Sequence, residues 1–193
     1  MYKLTTIILL TAFISCSQVK YKTPHVRINT FYGDIDVELF PEKAPKTVAA
    51  FLSYVDSGYY KNSSFYRVLS NENVPPDNNT GLIQGGIFKT NGKKLTQVTG
   101  IVHESTKQTG LSHTSGTISL ARTTPGTAST EFFICVGDQP QFDSGASAGG
   151  DGLGFAAFGR VVSGMDVVSK IQNTPSHGEN FVTEIKIENI ERL

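Results

Sequence analysis

Short segments in which apolar and polar side chains alternate recur along this chain from His25 onwards. Residues 26–30 alternate in this way, and residues 35–39 repeat the pattern after a turn at Gly33. A period of two is typical of half-buried strands, and two such strands around a glycine turn predict a hairpin. Further apolar runs, each bounded by turn-forming residues, are residues 117–121, 132–136, 155–162 and 181–190. We therefore expect a chain built mainly of short β-strands.

Two segments have a helical period instead. Pro45 suits the first turn of a helix, and Gly58 suits its end. Between them, the apolar residues at spacing i, i+3, i+4 and i+7 are Val48, Phe51, Leu52 and Val55. A shorter helix is predicted at residues 165–171, with three side chains facing inward: Met165, Val168 and Ile171. Many short strands with two helices favour a mainly β fold, a closed antiparallel barrel.

Composition and charge exclude several classes of function. The 193 residues suffice for one domain with a real core, and 38% of them are hydrophobic. The 17 basic and 17 acidic residues cancel, so nothing attracts the chain to nucleic acid or to an anionic membrane surface. The four histidines are far apart and have no partner cysteines at metal-ligand spacing. We therefore predict no metal site.

The N-terminus carries the pattern of an export signal. Lys3 precedes an apolar stretch at residues 4–14, which is too short to span a bilayer but matches the apolar region of a secretory signal. Because the stretch is followed by Ser15-Cys16, it resembles a bacterial lipoprotein signal, with cleavage before the cysteine and lipid on its sulfur. The alternative is an ordinary signal peptide in which the cysteine is incidental.

The lipoprotein interpretation divides the chain into residues 1–15 as signal, 16–24 as tether and 25–193 as the folded domain. It predicts an exported protein that is lipid-anchored in the cell envelope, facing the periplasm or at the cell surface, and that contacts the membrane through the anchor alone. The second cysteine, Cys135, lies in an apolar run and is expected to be buried. With Cys16 lipidated, no disulfide is expected.

Three separated segments each place a polar group beside apolar or glycine positions. They are Phe65-Tyr66-Arg67, Ile83-Gln84-Gly85-Gly86 and Glu131-Phe132-Phe133. Strand alternation would put Phe65 and Arg67 on the same face, and would send the two adjacent phenylalanine rings to opposite faces. Paired glycines permit a close approach of backbone. An arginine, a carboxamide and an aromatic wall suit a site for an uncharged peptide segment, whereas a hydrolase would need an activated nucleophile and a base.

These segments and two others resemble, in consistent order, the signature of the cyclophilins, the proline cis/trans isomerases. The matching segments are residues 65–68, 82–86, 116–121, 131–134 and 158–165. The resemblance extends from about His25 to the C-terminus and implies an eight-stranded antiparallel barrel capped by two α-helices, one at each open end. It also implies peptidyl-prolyl isomerase activity that needs no cofactor and assists protein folding, here outside the cytoplasm.

The resemblance also implies roles for individual residues. Arg67 would hydrogen-bond near the proline nitrogen of a substrate, Gln84 would orient Arg67 and contact the substrate backbone, and Phe133 would form the floor of the proline pocket. The residues implied in substrate binding are Leu82, Ala121, Arg122, Glu131, Phe142 and Phe155. The implied partners are proline-containing polypeptides, and a monomer is the default.

The chain departs from the family pattern around this pocket. Gly81 stands where many members carry a pocket phenylalanine, so the pocket is either wider or refilled by Val74 or a proline of the loop at residues 70–80. Glu131 replaces a common glutamine, and we hypothesise that its carboxylate pairs with Arg67. Such a pair would hold the guanidinium in place and partly neutralise it.

Two further departures concern aromatic positions. Gln141-Phe142 stands where many members have tryptophan-leucine, and Phe155 replaces a histidine, which keeps the apolar wall and loses a hydrogen bond. Two other functions stay open: a non-catalytic proline-peptide-binding module or chaperone that uses the same groove, and a structural lipoprotein of the envelope. Retention of Arg67, Gln84 and Phe133 favours the enzyme.

Overall fold

The computed structural model describes residues 21–71, 73–146 and 150–193. The predicted signal, Cys16 and the tether up to residue 20 therefore lie outside the described residues. Within the described part, no helix is both long enough and apolar enough to cross a membrane.

The strands of the described residues form one closed sheet. They are β1 (His25–Thr30), β2 (Gly33–Leu39), β3 (Ser63–Leu69), β4 (Gly81–Gly86), β5 (Thr117–Leu120), β6 (Phe132–Val136), β7 (Ala156–Ser163), β8 (Ser176–His177) and β9 (Asn180–Arg192). Neighbouring strands are antiparallel in the order β1-β2-β7-β5-β6-β4-β3-β9, and pairing of β1 with β9 closes the ring. The short β8 pairs with β9 outside the ring. The predicted eight-stranded antiparallel barrel is confirmed, and its closure leaves no open edge among these eight strands.

Both predicted helices are present and cover the barrel core. The helices are α1 (Pro45–Asp56), α2 (Gly92–Leu95), α3 (Thr106–Thr109) and α4 (Met165–Gln172). The apolar stripe predicted for α1 is buried along its whole length. In α4, Val167 is buried together with Val168 and Ile171, whereas Met165 is only partly buried. The one-turn helices α2 and α3 lie in connections where the sequence period predicts none.

Aromatic rings fill the centre of the barrel. The ring centroid of Phe51 in α1 lies 5.3 Å from that of Tyr60. It lies 5.9 Å from the ring of Phe132 in β6 and 5.0 Å from the ring of Phe158 in β7. All four rings are fully buried, and the Tyr60 hydroxyl donates a hydrogen bond to the carbonyl of Thr130 at 2.9 Å. These interlocked rings fix α1 against β6 and β7.

The N-terminus of α1 is capped from a distant loop. Ala44, the residue before the helix, has no side chain that can cap it. Instead, the Glu104 carboxylate accepts hydrogen bonds from the backbone N–H groups of Lys46 at 3.2 Å and Thr47 at 2.8 Å. It also accepts one from the Thr47 hydroxyl at 2.7 Å. The carboxylate thereby satisfies N–H groups that have no partner within the helix, and it lies at the positive end of the helix dipole.

Replacing Glu104 by alanine is expected to lower the free energy of unfolding by about 1–2 kcal/mol, because α1 loses this cap. Urea denaturation followed by circular dichroism measures the loss. The matched control is Glu42→Ala, which removes an exposed carboxylate just before α1. Equal stability of the two variants would contradict the capping role.

Candidate active site

One extra residue in β3 decides which side chains face outward. In the pairing of β3 with β4, Phe65 lies opposite Gly85 and Arg67 lies opposite Gln84, so Tyr66 has no partner of its own. This two-against-one arrangement is a β-bulge, which shifts the alternation of the strand by one residue. Phe65 is fully buried in the barrel core, while Tyr66 and Arg67 both line an outer cleft. The expectation that Phe65 and Arg67 share a face is therefore wrong, and the bulge is the reason.

The cleft has a volume of about 880 Å³ on the outer surface of the barrel. It brings together every catalytic and substrate-binding residue that the resemblance implies: Arg67, Leu82, Gln84, Ala121, Arg122, Glu131, Phe133, Phe142 and Phe155. Tyr66 and Phe88 also line it, and neither was expected there. No sequence signal marks Phe88, whereas Tyr66 is placed by the bulge.

One half of the cleft is an apolar pocket made by three phenylalanines. The ring centroid of Phe133 lies 5.4 Å from that of Phe142 and 5.4 Å from that of Phe155, with near-perpendicular planes against Phe155. Leu82 packs in the same cluster, and so does Cys135, which is buried as predicted and whose thiol pKa is raised by burial. Phe132 faces the barrel core, so the two adjacent rings do lie on opposite faces. The result is a rigid pocket for a compact apolar group.

A buried hydrogen-bonded histidine supports the pocket from behind. The His113 ring stacks on Phe133 with centroids 5.8 Å apart. Its Nδ1 lies 2.7 Å from Asp143 Oδ1, and its Nε2 lies 3.0 Å from Ser119 Oγ. Burial lowers the pKa of His113. Ser119 is fully buried, so this Ser-His-Asp arrangement presents no nucleophile to the cleft and serves to hold the Phe133 ring.

The polar half of the cleft is centred on Arg67. Its Nη1 donates to Gln84 Oε1 at 2.8 Å, while its Nε and Nη2 donate to Glu179 Oε2 at 2.9 and 2.7 Å. Glu179 lies in the turn between β8 and β9, far along the chain from Arg67, and no local pattern marks it. The three hydrogen bonds engage three of the five N–H donors of a guanidinium. Its geometry is thus fixed. Within the described part of the chain, one N–H group on Nη1 and one on Nη2 have no acceptor and can bond a bound peptide.

The hypothesis that Glu131 pairs with Arg67 is wrong. One carboxylate oxygen of Glu131 accepts from the Tyr66 hydroxyl at 2.8 Å, and the other accepts from the backbone N–H groups of Ile87 at 2.8 Å and Phe88 at 3.1 Å. Gly86 makes room for this arrangement, because a Cβ there would lie 2.5 Å from the carboxylate. Burial raises the pKa of Glu131, and the donors around it oppose that effect. Uncharged donors thus replace the expected ion pair.

Arg122 supports the wall of the apolar pocket with its side chain. Its guanidinium donates to both carboxylate oxygens of Asp151 at 2.7 and 2.8 Å, and to the carbonyl of Gly154 at 3.0 and 2.6 Å. The same group lies over the Phe155 ring, 5.3 Å from its centroid. The side chain is almost fully buried, so any contact of Arg122 with a bound peptide falls to its backbone. The guanidinium thereby links Asp151 and Gly154 to the Phe155 ring.

The backbone conformation at position 81 explains why this residue is glycine, and the sequence alone does not reveal that conformation. Its φ is +140°, and a Cβ at this position would lie 2.1 Å from the carbonyl oxygen of Leu69. A phenylalanine does not fit this backbone. Among the described residues of the 70–80 loop, neither Val74 nor a proline lines the cleft, whereas Leu69 does. The proposed refilling of the pocket by that loop is therefore wrong.

The contact between Arg122 and Asp151 predicts a pH dependence. Hydrogen bonds from Arg122, together with one from the Leu153 backbone N–H, lower the pKa of Asp151 to about 2. A carboxyl whose pKa is depressed by folding stabilises the folded state above its ordinary pKa, and this contribution is lost as the pH falls through the depressed value. Asp151→Asn is therefore expected to flatten the fall in unfolding free energy between about pH 4 and pH 2.

Urea denaturation across that pH range measures the effect, with Asp77→Asn, an exposed carboxyl elsewhere on the surface, as the matched control. A pH profile of Asp151→Asn that follows the unchanged protein would contradict the prediction.

Comparison with known proteins agrees with this geometry. Residues 25–192 match the family model described as cyclophilin type peptidyl-prolyl cis-trans isomerase/CLD. The chain is 38% identical over 152 residues to a peptidyl-prolyl cis-trans isomerase of Acinetobacter baylyi, covering 78% of this chain and 73% of that protein. It is 36% identical over 167 residues to peptidyl-prolyl cis-trans isomerase B of Escherichia coli, covering 86% of this chain and 94% of that protein.

Solved structures give the same result. A cyclophilin type peptidyl-prolyl cis-trans isomerase from Cryptosporidium parvum superposes with a TM-score of 0.69 at 26% identity, covering 89% of this chain and 98% of that one. A crystal structure of the same protein in the presence of the dipeptide Ala-Pro superposes with a TM-score of 0.66. With the closed barrel and the cleft in place, these matches make the chain a member of the family of cyclophilin-type peptidyl-prolyl cis-trans isomerases.

Proposed function

We propose that the cleft between Arg67 and Phe133 carries the isomerase activity in this chain. The apolar pocket around Phe133 receives the proline ring of a substrate, and Arg67 donates a hydrogen bond toward the proline nitrogen. Gln84 holds the guanidinium in place. The observation that carries the proposal is a guanidinium held by Gln84 and Glu179 in the same cleft as an apolar pocket.

The chemistry requires no bond to break. Rotation about an X–Pro bond faces a barrier of roughly 18–20 kcal/mol, because amide resonance must be lost. A donor that bonds the proline nitrogen only when resonance is lost favours the twisted state over the planar one. By analogy with one oxyanion-hole donor, Arg67 would contribute about 3 kcal/mol. This explains why an arginine and apolar rings suffice for the site.

The substrates would be proline-containing polypeptides. The Cryptosporidium parvum neighbour was crystallised in the presence of Ala-Pro, and its fold matches this chain over most of the length of both. The pocket formed by Phe133, Phe142 and Phe155 is compact and apolar, as a proline ring requires. The rest of the cleft leaves room for residues that flank the proline.

A binding module without catalysis is the competing function, and one observation favours it. Glu179 pairs with Arg67 and so reduces the positive charge that the substrate would meet. The pair is partly exposed to solvent, however, and exposed ion pairs contribute only about 0–1 kcal/mol. A ligand that competes for the guanidinium can therefore displace Glu179, and the enzyme remains the better interpretation.

Arg67→Ala is expected to lower the catalysed exchange rate about a hundredfold or more, because a donor worth about 3 kcal/mol in the transition state is lost. Magnetisation-exchange NMR on a short X–Pro peptide measures cis-to-trans conversion directly. Arg160→Ala is the matched control, since Arg160 is an exposed arginine of β7 that does not line the cleft. Peptide binding without enhanced exchange in the unchanged protein would identify the binding module instead.

We also propose that the protein is exported and lipid-anchored through Cys16. Support comes from the apolar stretch at residues 4–14 followed by Ser15-Cys16. The first strand of the barrel begins at His25, after the predicted signal and tether. This proposal concerns where the enzyme is located, and it is independent of the proposed role of the cleft.

Cys16→Ser is expected to abolish incorporation of labelled palmitate and to release the protein from the membrane fraction. Expression in a bacterial host followed by fractionation measures both properties. The control is Cys135→Ser, because Cys135 is buried in β6 and offers no site for a lipid. The anchor would be contradicted if the unchanged protein took up no labelled palmitate and was absent from the membrane fraction.

A further inference from the structure

We propose that Tyr66 and Glu131 are positioning residues for the isomerase reaction. Acting through the carboxamide of Gln84, they fix the direction in which Arg67 presents its donors to a substrate. The inference rests on the role of Arg67 proposed above. It gives a positioning role to two residues that do not touch the reacting bond.

A directed chain of hydrogen bonds joins the four residues. Arg67 Nη1 donates to Gln84 Oε1 at 2.8 Å. Gln84 Nε2 donates to Tyr66 Oη at 2.8 Å, and Tyr66 Oη donates to a carboxylate oxygen of Glu131 at 2.8 Å. Every link has the same direction, from Arg67 toward Glu131.

The two ends of the chain fix that direction. A guanidinium can only donate, so Gln84 must present its oxygen to Arg67 and its NH₂ group to Tyr66. The Tyr66 oxygen accepts there, so its own proton must find another acceptor. A carboxylate can only accept, and Glu131 supplies that acceptor. Burial raises the pKa of Tyr66, which keeps its proton in place to be donated.

Glutamate is the residue type that fits position 131 in this chain. Besides the Tyr66 hydroxyl, the carboxylate faces the N–H groups of Ile87 and Phe88 and the hydroxyl of Thr130 at 3.1 Å. A glutamine would have to turn its own NH₂ group toward the backbone donors or toward Tyr66. Toward the backbone, the NH₂ group would face the N–H groups of Ile87 and Phe88, donor against donor. Toward Tyr66, it would compete with the NH₂ group of Gln84 for the Tyr66 oxygen.

A misplaced proton at Tyr66 has a consequence at the cleft. If the Tyr66 oxygen no longer accepts from Gln84, the carboxamide loses one of its two contacts, and only the hydrogen bond from Arg67 still orients it. A carboxamide held at one end can swing, and the oxygen that accepts from Arg67 Nη1 moves with it. The guanidinium would then leave the position in which Glu179 and Gln84 together hold it.

The test combines Tyr66→Phe and Glu131→Gln with rates from magnetisation-exchange NMR. We expect each variant to lower kcat about tenfold while KM changes less than about twofold, since the apolar pocket is untouched. In a Gln84→Ala background, Tyr66→Phe is expected to cost nothing further, because its effect passes through Gln84. Tyr32→Phe, in the turn between β1 and β2, is the matched control for removal of a tyrosine hydroxyl.

A second measurement does not depend on activity. The side-chain NH₂ signals of Gln84 in ¹⁵N–¹H NMR spectra are expected to shift and to exchange faster with solvent in Tyr66→Phe, while backbone amide signals of the barrel strands keep their positions. Unchanged Gln84 signals, or an unchanged kcat in Tyr66→Phe, would overturn the positioning role. A tenfold loss of kcat on adding Tyr66→Phe to Gln84→Ala would also overturn it.

Failure of the proposed function gives a different pattern. If Arg67→Ala keeps the full exchange rate, Arg67 is not the catalytic donor, and the positioning role falls with it. If Arg67→Ala loses the rate while Tyr66→Phe keeps it, the proposed function stands and only the role of Tyr66 and Glu131 is refuted.

Discussion

The site depends on one inserted residue in β3. Because Tyr66 has no partner across the strand pair, Phe65 turns into the barrel and Arg67 turns out of it. Phe65 then packs on Phe132 in the core, with ring centroids 5.8 Å apart, which anchors the bulge. Regular alternation would bury the arginine wherever the phenylalanine is buried. The bulge thus places Phe65 in the barrel core and Arg67, two residues later, in the outer cleft.

Around this bulge, the molecule controls orientation and performs no covalent chemistry. His113 and Ser119 hold the Phe133 ring from behind, and Arg122 holds the Phe155 ring from the side. The guanidinium of Arg67 is held by an amide on one side and a carboxylate on the other. A reaction that only twists a bond needs a pocket of fixed shape and a donor of fixed direction, and polar contacts around the cleft meet both requirements.

Local patterns in the sequence account for most of the strands and for α1. Period-two alternation and the spacing of Val48, Phe51, Leu52 and Val55 reflect burial on one side of an element, which a single segment can reveal. The resemblance then supplied Arg67, Gln84 and Phe133, and the cleft contains all three.

The remaining features depend on contacts between distant segments. The bulge at Tyr66 follows from the pairing of β3 with β4 and β9. No pattern within residues 63–69 predicts it. Glu131 was assigned to Arg67 because their charges are opposite, but backbone donors and a hydroxyl surround its carboxylate. The true partner, Glu179, lies 112 positions along the chain from Arg67. Charge alone does not identify partners in a fold whose contacts are mostly non-local.

Closure of the barrel by its first and last strands also determines when the protein can work. Val26 pairs with Arg192, and the backbone N–H of Leu193 donates to the carbonyl of His25 at 3.0 Å. During synthesis the ring must stay open until β9 has emerged, and the turn with Glu179 directly precedes β9. Folds with such distant pairings form slowly, because chain ends must meet before the contacts between them contribute. An isomerase with this fold therefore completes its own barrel only after β9 has been synthesised.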